Sequence, residues 1–564
     1  MPLHLSRLTD SLFDEVDYQE TSFSVDAVAR NVCNTWEEAM TNPTFDAVVI
    51  GSGMFGAYFA DKLFRTSKAK RTLLLEAGPF LVPEHFQGFP NIGLAVPDPI
   101  DPSNDEEFTR EFVWQMPWRG NTNFVGTPYC VGGKSLYWGG WCPRLTDDTL
   151  YNWPATVAKY LQDTYPALEE QLGVSEPTDF IQGALFNAML AKAEAVWSQV
   201  PALTEVKPPP LAVISRVPIS GLFSLNKYSS VPLLMSAIRD AIAEVGSDDA
   251  RRRLFLVPRA QVVKLDASDG IVRRIELFVN HKQRFLDIGP RCAVVLAAGA
   301  IESTRIALES FPTAANPAEE KMGRNLTVHM RSTTTVQIRR SAFETSGRRL
   351  TEKLQTAAFL VRGKTDDGHF HLQVTAADDR QGDADQMLFR MIPDIDLLKE
   401  ILNSQDADFV TVTFRGCAET KGVKDRQVGG PGLRWINLSS ELDGFGFRRA
   451  FVNLAISPVE SRLWNAMDEA TVDFALKLAN DDRSLVRLIS SSRDGLGTTY
   501  HESGTLWMGD SPETSVTDGN GRFHHVANAY CTDQALFPTV GSANPALTGL
   551  TLTRKIAEHI ASLE

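Results

Sequence analysis

From Phe45 to Ile50 the chain is almost wholly apolar and then stops at a glycine. A short apolar run closed by glycine predicts a strand buried on both faces, as in a parallel sheet. A helix is expected over residues 54–64 and a second strand over 72–76. Residues 81–127 are rich in Pro, Asn and Asp and read as long loops. Between 150 and 203 apolar positions recur every three or four residues, the helical period. Strands are expected at 254–257, 261–265 and 274–279, and a further glycine-bounded buried strand at 292–297. From about 332 to 452 the pattern alternates, as in 369–374 and 410–414, which predicts an antiparallel sheet. Residues 548–563 are patterned as an amphipathic helix, and the first 43 residues read as a polar, partly helical lead-in.

Strand–helix–strand units therefore open the chain, a β-rich region sits late in its middle, and α/β character returns at the end. The 564 residues exceed what one hydrophobic core organises, so two domains are expected. The fold class read from this order is α/β, with a Rossmann-like nucleotide-binding domain into which an α+β domain built on an antiparallel sheet is inserted. The first domain is assigned 44–145, 220–325 and 500–564, and the second 146–219 and 326–499. A net charge of −14 argues against nucleic acid or an anionic membrane as partner. No run reaches the ~18–20 apolar residues of a spanning helix, and the N-terminus has no basic start followed by an apolar stretch. The six cysteines include no C-x-x-C pair, which suits neither zinc nor a disulfide scaffold, so a cytoplasmic setting is expected.

Five clusters carry candidate chemistry. Gly51-Ser52-Gly53-Met54-Phe55-Gly56 fits G-x-G-x-x-G after a strand and before a helix, with Glu76 closing the next strand 20 residues on, followed by Ala77. That context is the dinucleotide fingerprint: Gly51 for the tight turn, Gly53 for backbone approach to a pyrophosphate, Gly56 for helix–strand packing. In Gly132-Gly133-Lys134-Ser135-Leu136-Tyr137-Trp138-Gly139-Gly140-Trp141, four glycines interleave with aromatics, so the backbone can lie against a flat ligand. The third cluster, 292–302, passes through Ala298-Gly299 in the same strand-then-small-residue manner. The fourth is Tyr500–Gly509 with His501, and the fifth is Gly541-Ser542-Ala543-Asn544-Pro545-Ala546-Leu547-Thr548.

In this order, from about Phe45 onward, the five clusters resemble the glucose–methanol–choline (GMC) family of FAD-dependent oxidoreductases. The resemblance implies non-nucleic-acid, small-molecule chemistry with FAD as cofactor. Gly51–Gly56, Glu76 and Ala77 would hold its ADP half, and Val262 would meet the adenine. Gly132–Trp141 would border the isoalloxazine ring. Ala298 and Gly299 would pass beside the cofactor. Asp533 would sit beside the ribityl–pyrophosphate stretch, and Asn544, Pro545 and Thr548 beside the flavin. The family's catalytic His/Asn pair maps onto His501 and Asn544, and Gly323–His329 resembles the segment leading into the substrate domain. Gly132–Gly140 and Gly541–Leu552 are similar to the pyranose 2-oxidase branch. That branch links its flavin through a histidine where Tyr137 stands here, so non-covalent FAD is implied. Trp138 replaces the asparagine of many members, and Gly139 replaces the branch's threonine.

The activity so implied is oxidation of an alcohol, a sugar or glycoside hydroxyl first, to a carbonyl. His501 would take the hydroxyl proton, Asn544 would position the hydroxyl, and hydride would pass to flavin N5. Oxygen, a quinone or another acceptor would complete the cycle. Three alternatives stay open: a dehydrogenase of non-sugar alcohols, a flavin photoenzyme on the same scaffold, and an NAD-dependent dehydrogenase on the fingerprint alone. His369 and His371 alternate on one strand face without a third metal ligand at matching spacing, and read as solvated. His524 and His525 are adjacent and diverge. Arg251–Arg253 reads as a solvated run, and no metal is expected.

Overall fold

The computed structural model describes residues 31–85, 114–122, 126–174, 181, 183–214, 226–316, 319–344, 350, 355–378, 406–424 and 434–563. Of the lead-in, residues 1–30 lie outside the described residues, as do 86–113 and 123–125 of the stretch read as loops. The rest of the lead-in holds a short helix, Trp36–Met40, started by a capping box between Thr35 and Glu38.

Four apolar runs form fully buried strands, and they share one parallel sheet with a fifth. Its order is Ala529–Cys531, Ala293–Leu296, Ala47–Ile50, Thr72–Leu75, Leu254–Val257. Ala47 pairs with Ala293 on one side and Thr72 on the other. The Met54–Thr66 helix packs beside the Val231–Val245 helix, and the Ala546–Ser562 helix lies against the first. A three-stranded meander, Ala260–Ser268, Ile271–Val279 and Lys282–Asp287, adds Val262, Leu265 and Ile275 to the same core.

The Ala155–Leu172 helix corrects one expected boundary. Its buried side, with Val157, Leu161, Tyr165, Leu168 and Leu172, belongs to this first core and packs on the Ala546–Ser562 helix. The division expected at 145 falls before it. A helical period shows that a face is buried, but not in which core.

The second core is built on a six-stranded sheet with only antiparallel pairs. Its order is Val486–Arg493, His329–Arg339, Phe409–Glu419, Gly368–Asp378, Gln355–Thr365, Leu203–Lys207. On its three central strands the pleat separates two kinds of residue. Met330, Leu372, Val374, Val412 and Phe414 join Trp464, Met467 and Phe474 of the Pro458–Leu478 helix in the apolar cluster. The intervening odd-numbered residues, among them His329, Arg331, His371, Gln373, Arg415 and Cys417, face the other way, toward the first domain. A small third sheet joins Trp435–Leu442, Arg448–Asn453 and Arg119–Gly120 over its own apolar cluster.

Arg251–Arg253 is not a solvated run. Only Arg251 is exposed. Arg252 is buried over the Phe255 ring and pairs with Asp249; Arg253 lies over Phe64 and pairs with Glu244. The planar guanidinium covers an aromatic face while its edge meets a carboxylate. All six cysteines are buried and none is in a disulfide. No helix among the described residues is long and apolar enough to cross a membrane.

Candidate active site

The parallel strands end at a long cleft, and the Gly51–Gly56 turn forms its floor. Gly51 has φ +97°, and a Cβ there would lie 2.7 Å from the Ala297 carbonyl oxygen. A Cβ on Gly56 would stand 1.9 Å from the Gly51 oxygen, so only glycine lets helix and strand close here. Gly53 differs. Its Cβ would meet nothing within 4 Å, because that side opens into the cleft. No side chain caps the helix that follows, and Met54 and Phe55 of its first turn line the cleft. Uncapped N–H groups and a positive dipole end behind a glycine cradle fit the pyrophosphate of a dinucleotide.

Glu76 is buried and already held by its own chain. One oxygen accepts from Ser52 N at 2.8 Å and Ser52 Oγ at 2.7 Å, the other from Gly78 N at 2.9 Å. It thus fixes the turn as well as lining the cleft with Ala77, Val262, Ala298 and Gly299. Burial raises its pKa.

Beyond Met54 and Phe55 a second cleft opens, and Lys134 and Gln534 line both. The two together suit an extended ligand with a phosphate-binding half and a flat half. The glycine–aromatic loop borders the second cleft through Tyr137, Trp138, Gly139 and Trp141. Gly132 takes φ +93° where a Cβ would strike Val231 at 2.4 Å, and Gly133 brings the loop against Gly53. Ser135 is turned inward, donating to Gly132 O at 2.7 Å. Gly140 accepts from Ala212 N. Trp138 Nε1 donates to Tyr228 O at 2.6 Å, and His85 Nε2 bonds Trp138 O at 2.8 Å. Lys134 sits 3.5 Å from Glu502 and over the Tyr500 ring.

His501 and Asn544 meet on the far wall, with Asn544 Nδ2 3.4 Å from His501 Nε2. His501 follows Tyr500, which has φ +57°, a left-handed conformation uncommon for a bulky residue. Behind His501 stands His329, its Nδ1 2.7 Å from His501 Nδ1 and its Nε2 2.9 Å from Gly541 O. The carbonyl can only accept, so His329 carries its proton on Nε2 and presents a bare Nδ1. His501 Nδ1–H donates to that nitrogen, which leaves His501 Nε2 as an acceptor facing the cleft. Burial holds His501 well below the ordinary histidine pKa, and nearby His329, Arg331, His371 and Lys134 add to it. Burial likewise lowers His329, to about 4. His501 is therefore neutral at ordinary pH.

Several expected cofactor residues stand behind the lining. Asp533 accepts from Ser303 Oγ at 2.6 Å and Ala535 N at 2.8 Å, and its neighbour Gln534 reaches the clefts instead. Thr548 Oγ1 bonds the buried Tyr165 hydroxyl at 2.8 Å, while Pro545 lines the second cleft. His369 and His371 are not solvated. His371 is buried, and half-buried His369 bonds Glu419 and Asp148 at 2.9 and 2.8 Å. Those bonds, Glu419's first, raise its pKa. The reason is that this sheet face is covered by the first domain. His524 and His525 diverge, to Ser515 and to Phe311 O. Gln373, Arg331 and Arg415 were not anticipated; the only signal was a run of polar residues on alternate strand positions.

Residues 448–553, which include both His501 and Asn544, match the family described as GMC oxidoreductase. Paromamine 6'-oxidase of Streptomyces fradiae is 48% identical over 48 residues, 8% of this chain and 9% of that protein. Oxygen-dependent choline dehydrogenase of Yersinia pseudotuberculosis is 27% identical over 146 residues, 26% and 24% of the two. 6'''-Hydroxyparomomycin C oxidase of Streptomyces lividus is 39% identical over 66 residues, 11% and 12%. The chain thus spans a quarter or less of the length of these curated relatives. Among solved structures, pyridoxine 4-oxidase from Mesorbium loti superposes with TM-score 0.56 at 14% identity, covering 92% of this chain and 99% of that one. An Aspergillus oryzae formate oxidase variant, solved to follow its FAD modification, gives 0.56 at 12% identity over 92% and 98%. Residues 448–553 are thus similar to the GMC oxidoreductase family, and the chain shares the fold of these two oxidases.

Proposed function

We propose that the chain binds FAD non-covalently and oxidises an alcohol group, a sugar or glycoside hydroxyl first, to a carbonyl. The observation that carries this reading is the hydrogen-bond chain from Gly541 O through His329 to His501. It leaves a neutral acceptor nitrogen 3.4 Å from the Asn544 amide at the end of a dinucleotide-shaped cleft. Flavin, when bound, supplies the acceptor for the hydride of the alcohol carbon. The protein's own part is to place one hydroxyl between two groups. Asn544 Nδ2 donates to its oxygen, and His501 Nε2 accepts its proton. The hydroxyl gives up its proton and the carbon its hydride, and the C–O bond becomes a carbonyl.

The glycine turn supports the ADP half: Gly53, Glu76, Ala77 and Val262 line one end of the cleft, Trp138, Gly139 and Pro545 the other. Similarity to proteins named paromamine 6'-oxidase and 6'''-hydroxyparomomycin C oxidase, the latter named for a hydroxyl, supports an alcohol substrate. The pyranose 2-oxidase-like motifs at 132–140 and 541–552 support a sugar. Anaerobic mixing of the purified flavoprotein with a panel of sugars, glycosides and simple alcohols tests the reading. Bleaching of the flavin absorbance by a sugar supports it, whereas a bound flavin bleached by none of the panel refutes it. Air then distinguishes oxygen from a quinone or other acceptor by the rate at which the colour returns.

A further inference from the structure

Gln373 and Asn544 each end in a primary amide, and a bond between two amides is made equally well with either one donating. Only one of the two arrangements serves the oxidation. With Gln373 Nε2 donating to Asn544 Oδ1, as at 2.8 Å here, Asn544 keeps its Nδ2 for a substrate oxygen. With both amides turned over, the bond between them survives, but Asn544 then shows the hydroxyl an acceptor in place of a donor. Nothing within the pair decides between the two.

What decides lies one step behind Gln373. His371 stands two residues before it on the same strand and the same face, with its Nε2 3.2 Å from Gln373 Nε2. An amide nitrogen only donates, so His371 Nε2 accepts and the ring proton sits on Nδ1. The two N–H bonds of Gln373 thus go to His371 Nε2 and Asn544 Oδ1. Turning the amide over would bring its oxygen against a bare ring nitrogen, two acceptors face to face in a buried place. The surroundings keep that ring uncharged. His371 is 1% exposed, and burial holds it well below the ordinary histidine pKa, with Arg362 across the ladder and His329 adding to the effect. His329 fixes the tautomer of His501 from one side. His371 fixes the amide from the other.

We infer that His371 is a positioning residue of the oxidation site: its bare Nε2 holds the Gln373 amide in the one orientation that leaves Asn544 donating to the substrate hydroxyl. The inference rests on the alcohol-oxidase reading and adds to it a residue that acts through two others.

Glucose, galactose, methyl glucoside and benzyl alcohol are mixed anaerobically with the flavin-loaded enzyme, and the one that bleaches it fastest serves as probe. His371→Leu removes the acceptor, and the limiting rate of bleaching is expected to fall about 5–10-fold at unchanged flavin content, one neutral hydrogen bond's worth. His371→Gln, whose Oε1 stands in for Nε2, recovers most of the rate. With Gln373→Leu already in place there is no amide to orient, so adding His371→Leu then costs less than about 2-fold. A role in packing alone costs the same in both backgrounds. That result, or a wild-type rate in His371→Leu, overturns the inference while the alcohol reading stands. If no alcohol bleaches a bound flavin, the oxidation itself is refuted and the inference falls with it. Where His371→Leu fails to load flavin, the tautomer decides. In spectra of enzyme labelled with ¹⁵N-histidine, the ring signal present in wild type and missing from His371→Gln is expected to be that of an Nδ1–H tautomer, and an Nε2–H tautomer there overturns the inference.

Discussion

Gln373 donates to Asn544 Oδ1 at 2.8 Å across the boundary between the antiparallel sheet and the final motif. With its oxygen so engaged, the Asn544 amide must turn its Nδ2 toward His501, the orientation in which it can donate to a substrate oxygen. A residue of the antiparallel sheet thus sets the polarity of the amide in the final motif.

Gln373→Glu exchanges the donor for an acceptor, and the Asn544 amide then gains by flipping its oxygen away from the carboxylate. Single-turnover flavin reduction is expected to slow by about 10-fold or more, one neutral hydrogen bond's worth, with flavin content unchanged. An unaltered rate would show that Asn544 is oriented by something else.

His501→Ala removes the proton acceptor without touching the glycine turn, so FAD remains bound while its reduction slows by about 10²–10⁴-fold. Higher pH returns part of the rate by supplying more alkoxide. His329→Ala leaves His501 in place but frees its tautomer. A smaller loss is expected there, with the pH profile of reduction shifted relative to wild type because burial and His329 both act on the His501 pKa. A His501→Ala enzyme that reduces flavin at the wild-type rate would falsify the assignment.

At Gly53 the structure separates folding from loading. Its φ of −62° suits any residue, and a Cβ meets no protein atom within 4 Å, so Gly53→Val folds with wild-type circular dichroism. The side chain occupies the cradle instead, and the protein is expected to purify colourless. A yellow Gly53→Val protein, fully loaded, contradicts the cradle.

Tyr137 lines the second cleft where a histidyl link would form, and burial raises its phenol well above the ordinary value, so it is no ready nucleophile. Acid precipitation should release all of the yellow colour into the supernatant. Colour retained in the pellet would point to a covalent bond at this residue.

His329 and His371 are buried, His501 is half-buried, and all three are held below the ordinary histidine pKa, His329 at about 4. Below pH ~6.5 the unfolded chain takes up protons that these sites refuse, so stability rises with pH and is lost as pH falls through that range. Each such histidine contributes about 1.4 kcal/mol per pH unit until its folded pKa is reached. His369, with a raised pKa, opposes this in part, since its stabilisation is lost as pH rises. The melting temperature of the flavoprotein should fall steeply from pH 7 to 5, and less steeply in His371→Asn. Equal slopes in the two proteins would exclude His371 from the effect.

The parallel sheet was legible because its strands are unbroken apolar runs; a strand buried on both faces has no other way to be written. The glycine turn was legible because close backbone approach admits few residue types, and the motifs of His501 and Asn544, which meet in the second cleft, because they follow the turn in a set order. The polar face of the antiparallel sheet was not. His371, Gln373 and Arg415 alternate with apolar neighbours just as residues of a half-solvated strand do, and nothing local says that a second domain covers them. The Ala155–Leu172 helix shows the same limit for helices: Leu161 and Leu168 mark a buried face, while the partner that buries it comes nearly 400 residues later.

The order of the parallel sheet also bears on how the chain is made. Ala293–Leu296 pairs on one side with Ala47–Ile50, but on its other side with Ala529–Cys531, which leaves the ribosome more than 230 residues afterwards. During that interval, tens of seconds at ordinary rates of synthesis, the nascent sheet holds an open, wholly apolar edge. An unpaired edge is a template for pairing with another chain. Slower translation of the long insertion is expected to prolong that exposure, and a richer chaperone supply to raise the soluble yield.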